Sequence, residues 1–98
     1  MKKKLESIKN ILDENKKYLI REYNVKEIGV FGSYVRDEQG IDSDIDILVE
    51  FSKPIGFFKF LELEEYLEKL FGVKVDLVSK KALKPRIGEY IMREVIFV

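Results

Sequence analysis

In this 98-residue chain, three aspartates and a Gly-Ser pair have the residue types and the spacing of a catalytic or binding site. Asp44 and Asp46 are two apart in the segment DIDILVEF, so on a strand their carboxylates leave one face, about 6–7 Å apart at the backbone. Asp76, in the segment VKVDLV, joins them if its strand neighbours theirs. Oxygen-only ligands that leave room for water and phosphate suit Mg²⁺, with Mn²⁺ as an alternative. The three carboxylates therefore predict a site for a divalent cation.

The Gly32-Ser33 pair precedes these acids in the pattern G-S, ten residues, D-x-D. Gly32 has no side chain, so the backbone there can approach a ligand closely. Ser33 is placed to begin a short helix, whose free N–H groups and dipole favour an anion. An anion-binding turn beside a carboxylate metal site is the combination that phosphoryl or nucleotidyl transfer requires.

The composition excludes several other kinds of site. The chain has no cysteine and no histidine, which removes disulfides, thiolate zinc sites, imidazole bases and histidine metal ligands. Its 18 basic and 18 acidic residues leave no net charge that would favour nucleic acid or a membrane surface. We therefore expect one domain over residues 1–98 in a reducing compartment, the cytoplasm, with no membrane contact and no direct nucleic-acid binding.

The hydrophobic periodicity predicts the elements that must position these residues. In chain order they are a helix over 3–23, a strand over 25–31, a short helix from 33 to about 38, a strand over 44–51, a helix over 57–71, a strand over 73–78, a helix from 85 to about 92, and a β-prone tail over 95–98. Alternation in the second strand puts its acids on the face opposite its apolar residues. The fold class is α/β, more closely α+β: a small mixed sheet with helices on one face and the carboxylates displayed on the other.

Several polar residues fit more than one role on the sequence alone. Arg36 suits either an ion pair with a local acid or contact with a nucleotide. The hydroxyl of Ser33 suits a helix cap, a phosphate contact, or both. Tyr34 favours packing over base stacking or acceptance of a modification. Segment 80–93 carries five basic residues and one acidic residue, which fits a solvated helix face or contact with nucleotide phosphates or an acidic partner.

The segments GSYVR and SDIDILVEF together resemble the signature of the DNA polymerase β-like nucleotidyltransferase superfamily. The chain length, the segment VKVDLV and the tail REVIFV are similar to the minimal nucleotidyltransferases of that superfamily, the MntA-type antitoxins. The resemblance extends over nearly the whole chain and implies the polymerase β-like nucleotidyltransferase fold. D-x-D alone is a weak signal, whereas its combination with G-S and a third aspartate on a following strand is fairly specific.

The resemblance also implies roles for the polar residues. Asp44 and Asp46 would bind two metal ions, and Asp76 would ligate the catalytic ion and assist deprotonation of the acceptor. Gly32-Ser33 would hold the triphosphate of a nucleotide, expected to be ATP, with Arg36 beside it.

One position departs from the family pattern. The family often has Arg-Gly-Glu where this chain has Arg36-Asp37-Glu38. Asp37 adds a negative charge and removes a flexible residue, so the path of this turn, and with it any phosphate role of Arg36, depends on the fold.

The reaction implied by the resemblance is Mg²⁺-dependent transfer of AMP from ATP to a tyrosine of a HEPN-domain ribonuclease toxin, which neutralises the toxin. The acceptor must come from another chain, because no second domain is present to hold it. One alternative is a binding module that neutralises the toxin by occlusion, through the basic segment and the apolar tail. Another is a nucleotidyltransferase acting on a small molecule or an RNA end, which the short chain disfavours because nothing else in it would grip such a substrate.

Overall fold

The computed structural model describes residues 4–98 as a four-stranded sheet with three α-helices. In chain order the elements are α1 (Leu5–Tyr23), β1 (Val25–Phe31), a 3₁₀ helix (Gly32–Tyr34), β2 (Ile45–Phe51), α2 (Phe57–Phe71), β3 (Val75–Ser79), a second 3₁₀ helix (Lys80–Ala82), α3 (Pro85–Glu94) and β4 (Ile96–Phe97). The predicted start of the first helix at residue 3 lies outside the described residues. Within residues 4–98, no helix is both long enough and apolar enough to cross a membrane.

The sheet places the beginning of β2 between two other strands. Its strand order is β3-β2-β1-β4, with β2 parallel to β3 and β1 antiparallel to both β2 and β4. Asp46, the second residue of β2, lies between Phe31 on β1 and Asp76 on β3. The mixed sheet is as predicted, and it gives the predicted acids neighbours on both sides.

Helices α1 and α2 cover one face of the sheet. The fully buried side chains of this core come at helical spacing from the two helices and at alternate positions from the strands: Ile8, Leu12, Leu19, Leu63, Leu67, Ile28, Val30, Ile45, Ile47 and Val49. Burial of each such side chain contributes about 1.5–3 kcal/mol relative to its exposure. The same alternation turns Asp46 toward the opposite face of β2, as the sequence predicts.

The opposite face is shared between the acids and α3, so the prediction of helices on one face only holds for α1 and α2 but not for α3. Ile91 of α3 packs with Phe31 and Leu48 in a second, smaller hydrophobic cluster. Leu48 is two residues from Asp46 on β2 and points the same way, so an apolar patch adjoins the carboxylates. The α+β fold class stands, and α3 becomes a wall of the carboxylate site.

The segment that follows β1 does not form the predicted helix from Ser33 to about Glu38. It is a 3₁₀ helix over Gly32–Tyr34 followed by turns, closed where the Glu38 N–H donates to the Ser33 carbonyl at 2.9 Å. Gly32 and Asp37 have φ angles of +81° and +56°, in the left-handed region. A left-handed residue at each end of the segment prevents a continuous α-helix.

Candidate active site

The structure places the three predicted acids at the same end of β2 and β3, with Asp46 and Asp76 side by side. Asp46 and Asp76 are register partners on these parallel strands, and register partners point to the same face of a sheet. Asp44 lies immediately before β2, whose first N–H, from Ile45, donates to the Lys74 carbonyl at 2.9 Å. Asp46 is half-buried, whereas Asp44 and Asp76 are exposed. The site is therefore one partly buried carboxylate flanked by two that face solvent.

The pKa of Asp46 reflects its burial first and the negative groups around it second. Burial raises the pKa of Asp46 to about 6, and the carboxylates of Asp76 and Asp44 contribute in the same direction. Arg36 acts in the opposite sense, since its positive charge favours the ionised form. Glu94 of α3, which the sequence analysis did not single out, adds a further negative charge. The cluster thus holds more negative charge than its surroundings neutralise.

Both the Asp46 side chain and the turn after β1 require a glycine at position 32. A Cβ built on Gly32 would lie 2.0 Å from the Oδ2 atom of Asp46, well inside van der Waals contact. The φ angle of +81° at Gly32 is also one that side chains with a Cβ rarely adopt. The glycine therefore lets the turn after β1 close directly over the Asp46 carboxylate, which places the G-S and D-x-D motifs in contact.

Arg36 is engaged in two ion pairs. Its guanidinium donates to Glu38 at 2.5 Å and to Glu94 at the end of α3. Hydrogen bonds to Glu38 and Glu94 raise the pKa of Arg36, which stays charged. Of the two predicted interpretations, the structure shows the ion pair with local acids. That pair ties the turn after Gly32 to α3.

Ser33 and Tyr34 lie inside the 3₁₀ helix. Ser33 is not an N-cap, because Phe31 occupies that position and makes no side-chain cap hydrogen bond. Tyr34 is buried, and its hydroxyl donates weakly to the Ser43 carbonyl at 3.5 Å. Burial, and then the nearby Asp44 carboxylate, raise the pKa of Tyr34. Tyr34 is therefore a packing residue, neither a stacking platform nor an acceptor.

The donor set fits a hard divalent cation. Asp44, Asp46 and Asp76 supply only oxygen, and the raised pKa of Asp46 shows that a positive charge there would relieve repulsion. Among residues 4–98, no three acidic side chains lie in an arrangement that could hold a metal ion. Asp44 and Asp76 are exposed, so solvent reaches both carboxylates beside the half-buried Asp46.

Glu94 is the residue of this site that sequence reasoning missed. It lies immediately after the basic segment 80–93, whose single acid is Glu89. The available signal was its spacing of three residues from Ile91, which on a helix puts both on neighbouring positions of one face. A buried Ile91 thus implied that Glu94 would be drawn toward the sheet.

Comparison with known proteins agrees with this geometry. Residues 5–98 match the family model described as a nucleotidyltransferase domain. The chain is 54% identical over 94 residues to the protein adenylyltransferase MntA of Thermococcus cleftensis, covering 96% of this chain and 95% of that protein.

Two solved structures share the fold. One, described as a minimal nucleotidyltransferase, superposes with a TM-score of 0.82 at 35% identity, covering 96% of this chain and 95% of the other. The complex of a tri-AMPylated Shewanella oneidensis HEPN toxin with its MNT antitoxin contains a chain with the same fold, with a TM-score of 0.68 at 21% identity, covering 92% of this chain and 70% of that one. The sheet, the Gly-Ser turn and the family match together make this chain a minimal nucleotidyltransferase of the MntA type.

Proposed function

We propose that this chain is a Mg²⁺-dependent protein adenylyltransferase that transfers AMP from ATP to a hydroxyl of a HEPN-domain ribonuclease toxin and so acts as its antitoxin in the cytoplasm. Residues 1–98 serve as a single catalytic domain in this proposal. The observation that carries it is the pairing of Asp46 with Asp76 directly beneath the Gly32 turn. The name of the Thermococcus cleftensis relative and the AMPylated toxin in the Shewanella oneidensis complex support the nucleotide and the class of acceptor.

The proposal assigns a task to each element of the site. Gly32-Ser33 hold the triphosphate through the backbone of their turn, which lies directly against the Asp46 carboxylate. Asp44 and Asp46 hold Mg²⁺ on the face shared with α3, and Asp76 completes the ligand set from β3. The chemistry that bound Mg²⁺ supplies is neutralisation of charge on the phosphates and a lower pKa of the attacking hydroxyl.

The reaction is an in-line displacement at the α-phosphate. A bond forms between the acceptor oxygen and the α-phosphorus, and the bond from that phosphorus to the β-phosphate oxygen breaks, so that pyrophosphate leaves with the electron pair. The acceptor proton goes to the carboxylate of Asp76. Asp76 suits this task because it is exposed on β3, the outer strand of the sheet, where a hydroxyl from another chain can reach it.

The proposal is tested by supplying ATP labelled at the α-phosphate, Mg²⁺ and a candidate HEPN toxin, and by following label on the toxin. We expect transfer by the wild type and loss of transfer in the Asp44→Asn plus Asp46→Asn double variant. The matched control is Glu50→Gln, which removes a carboxylate from the same face of β2 but from a residue paired with Lys80 at 3.7 Å. Unlabelled toxin with the wild type, or equal labelling by the double variant, would refute the proposal.

The same variants separate catalysis from occlusion. If the double variant still binds the toxin but no longer suppresses its ribonuclease activity, neutralisation requires the transfer of AMP. If it suppresses the toxin as well as the wild type does, binding alone neutralises the toxin and the catalytic proposal is wrong.

A further inference from the structure

The flank of α3 that faces the carboxylate site carries an exposed aromatic side chain. Tyr90 is 61% exposed and lies four residues before Glu94, on the same face of the helix. Glu94 is bound to Arg36, four residues after Gly32. The helical spacing therefore puts Tyr90 one turn from the residue that ties α3 to the turn after Gly32.

Packing does not account for Tyr90. Within residues 4–98 the other tyrosines and most phenylalanines are buried or paired with another ring: Tyr18, Tyr23 and Tyr66 on α1 and α2, Phe51 with Phe60, and Phe57 with Phe58. Tyr90 takes part in no such ring pair. Ile87, one turn earlier on the same flank, is also 58% exposed. The flank therefore presents an apolar, aromatic surface to solvent beside the predicted triphosphate seat.

We propose that Tyr90 is the platform on which the base of the bound nucleotide stacks, with Ile87 extending the apolar surface. This inference rests on the proposed function, because it takes the triphosphate to lie at Gly32-Ser33. From there the ribose and base must extend across one of the walls of the site, and α3 is the wall that offers an aromatic ring. Arg86 and Arg93 precede and follow Tyr90 on its outer side and suit a polyanionic ligand. A planar base gains stacking energy on a tyrosine whatever its hydrogen-bonding pattern.

A cavity of about 660 Å³ on the other side of Asp44 is the competing seat for the base. It is lined by no aromatic side chain, and its acids, Asp42, Asp44 and Glu68, outnumber its single base, Lys74. The cavity therefore offers the base no ring to stack on, whereas the α3 flank does.

The experiment compares the binding of Mg·ATP with that of magnesium tripolyphosphate, which has the phosphates but no base, by isothermal titration calorimetry. We expect Tyr90→Ala to raise the Kd for ATP about 5- to 150-fold, the range that loss of one base–aromatic stack produces, and to leave tripolyphosphate binding unchanged. Tyr90→Phe keeps the ring and should bind ATP as the wild type does. Phe58→Ala is the matched control, because Phe58 is 83% exposed at the start of α2, away from the acids.

Each other result has a definite meaning. An unchanged Kd for ATP in Tyr90→Ala overturns the inference, and so does an equal loss of ATP and tripolyphosphate binding, which would show that Tyr90 supports the turn through α3. Weaker ATP binding in Lys74→Ala but not in Tyr90→Ala would place the base in the competing cavity. If the wild type binds neither ligand, the proposed function fails and this inference with it. If Tyr90-dependent ATP binding occurs without AMP transfer to the toxin, only the proposed reaction fails.

Discussion

Replacement of Gly32 by alanine tests the central contact of the site, and Gly72 provides the matched control. Both glycines have positive φ, +81° and +71°, so alanine at either position would strain the backbone. A Cβ at Gly72 would meet nothing within 4 Å, whereas a Cβ at Gly32 would lie 2.0 Å from the Oδ2 atom of Asp46. The two variants therefore share the backbone penalty and differ in the clash with Asp46.

The expected costs follow from that difference. Gly72→Ala should lower the free energy of unfolding by about 1–2 kcal/mol, the cost of a left-handed residue with a Cβ. Gly32→Ala should cost about 1–3 kcal/mol more, the usual penalty for overpacking, because the Asp46 carboxylate or the turn must move. Chemical denaturation measures both values. Gly32→Ala should also lose Mg·ATP binding, because the displaced Asp46 no longer faces Asp76, whereas Gly72→Ala should keep it.

A double-mutant cycle assigns the extra cost to its cause. In an Asp46→Ala background the nearest remaining atom of residue 46 would be its Cβ, 3.2 Å from the new methyl group, which a shift of a few tenths of an ångström relieves. Gly32→Ala should then cost no more than Gly72→Ala. Equal costs of the two single variants in the wild-type background would show that Asp46 does not fill the space above Gly32, and the reasoning would be refuted.

Three further predictions concern the charges around this contact. Because the pKa of Asp46 is raised from 3.8 to about 6, the folded state holds its proton more tightly than the unfolded state does, so stability should fall as pH rises through that window. Thermal melts at several pH values should show the fall in the wild type and lack it in Asp46→Asn. Asp37→Gly should raise the free energy of unfolding by about 1 kcal/mol in urea titrations, since it relieves a left-handed φ of +56°; a loss of stability would contradict this. In the same titrations, Arg36→Ala should lower the free energy of unfolding more than Glu94→Gln does. Loss of Arg36 leaves the Glu94 carboxylate, which is only 12% exposed and lies near Asp46, without its ion-pair partner. Equal losses in the two variants would show that the ion pair leaves no buried charge behind.

Most of the fold follows from hydrophobic periodicity, because the strands and long helices bury one face each. The strand over Val25–Phe31 and the helix over Phe57–Phe71 have the predicted bounds, and Gly72 ends that helix in the left-handed conformation expected of it. These predictions succeed because local sequence alone decides which side of such an element is apolar. The β-prone tail predicted over 95–98 forms a short strand, Ile96–Phe97.

Hydrophobic periodicity did not predict where α3 packs. The acids at 44, 46 and 50 made one face of β2 look fully solvated, yet Leu48 lies among them and packs under Ile91. A single apolar residue on an otherwise polar strand face is weak evidence of burial, because it does not indicate which distant element will cover it. Burial of Leu48 depends on where α3 docks, which is a tertiary contact.

The turn between β1 and β2 shows a different limit. Ser33 and Glu38 are favourable residues for the start of a helix, and the sequence analysis therefore predicted one. The backbone instead takes positive φ at Gly32 and at Asp37, where the family often has glycine. Aspartate tolerates this conformation better than most residues, so Asp37 can occupy a turn position that favours glycine. Strand parity alone places Asp44 and Asp46 on one face of β2, whereas the position of Asp76 beside them depends on the pairing of β2 with β3, which the structure shows.

The position of β2 between two cores explains why a destabilising carboxylate persists there. Side chains of β2 are anchored in both clusters, Ile47 in the larger and Leu48 in the smaller, so the strand is clamped on both faces beside Asp46. Repulsion from Asp44 and Asp76 therefore cannot be relieved by moving the backbone. Uptake of a proton by Asp46, or binding of a cation, remain as the ways to relieve it. Burial first, and the neighbouring carboxylates second, raise the pKa of Asp46, so a cation bound beside it would favour its ionised form.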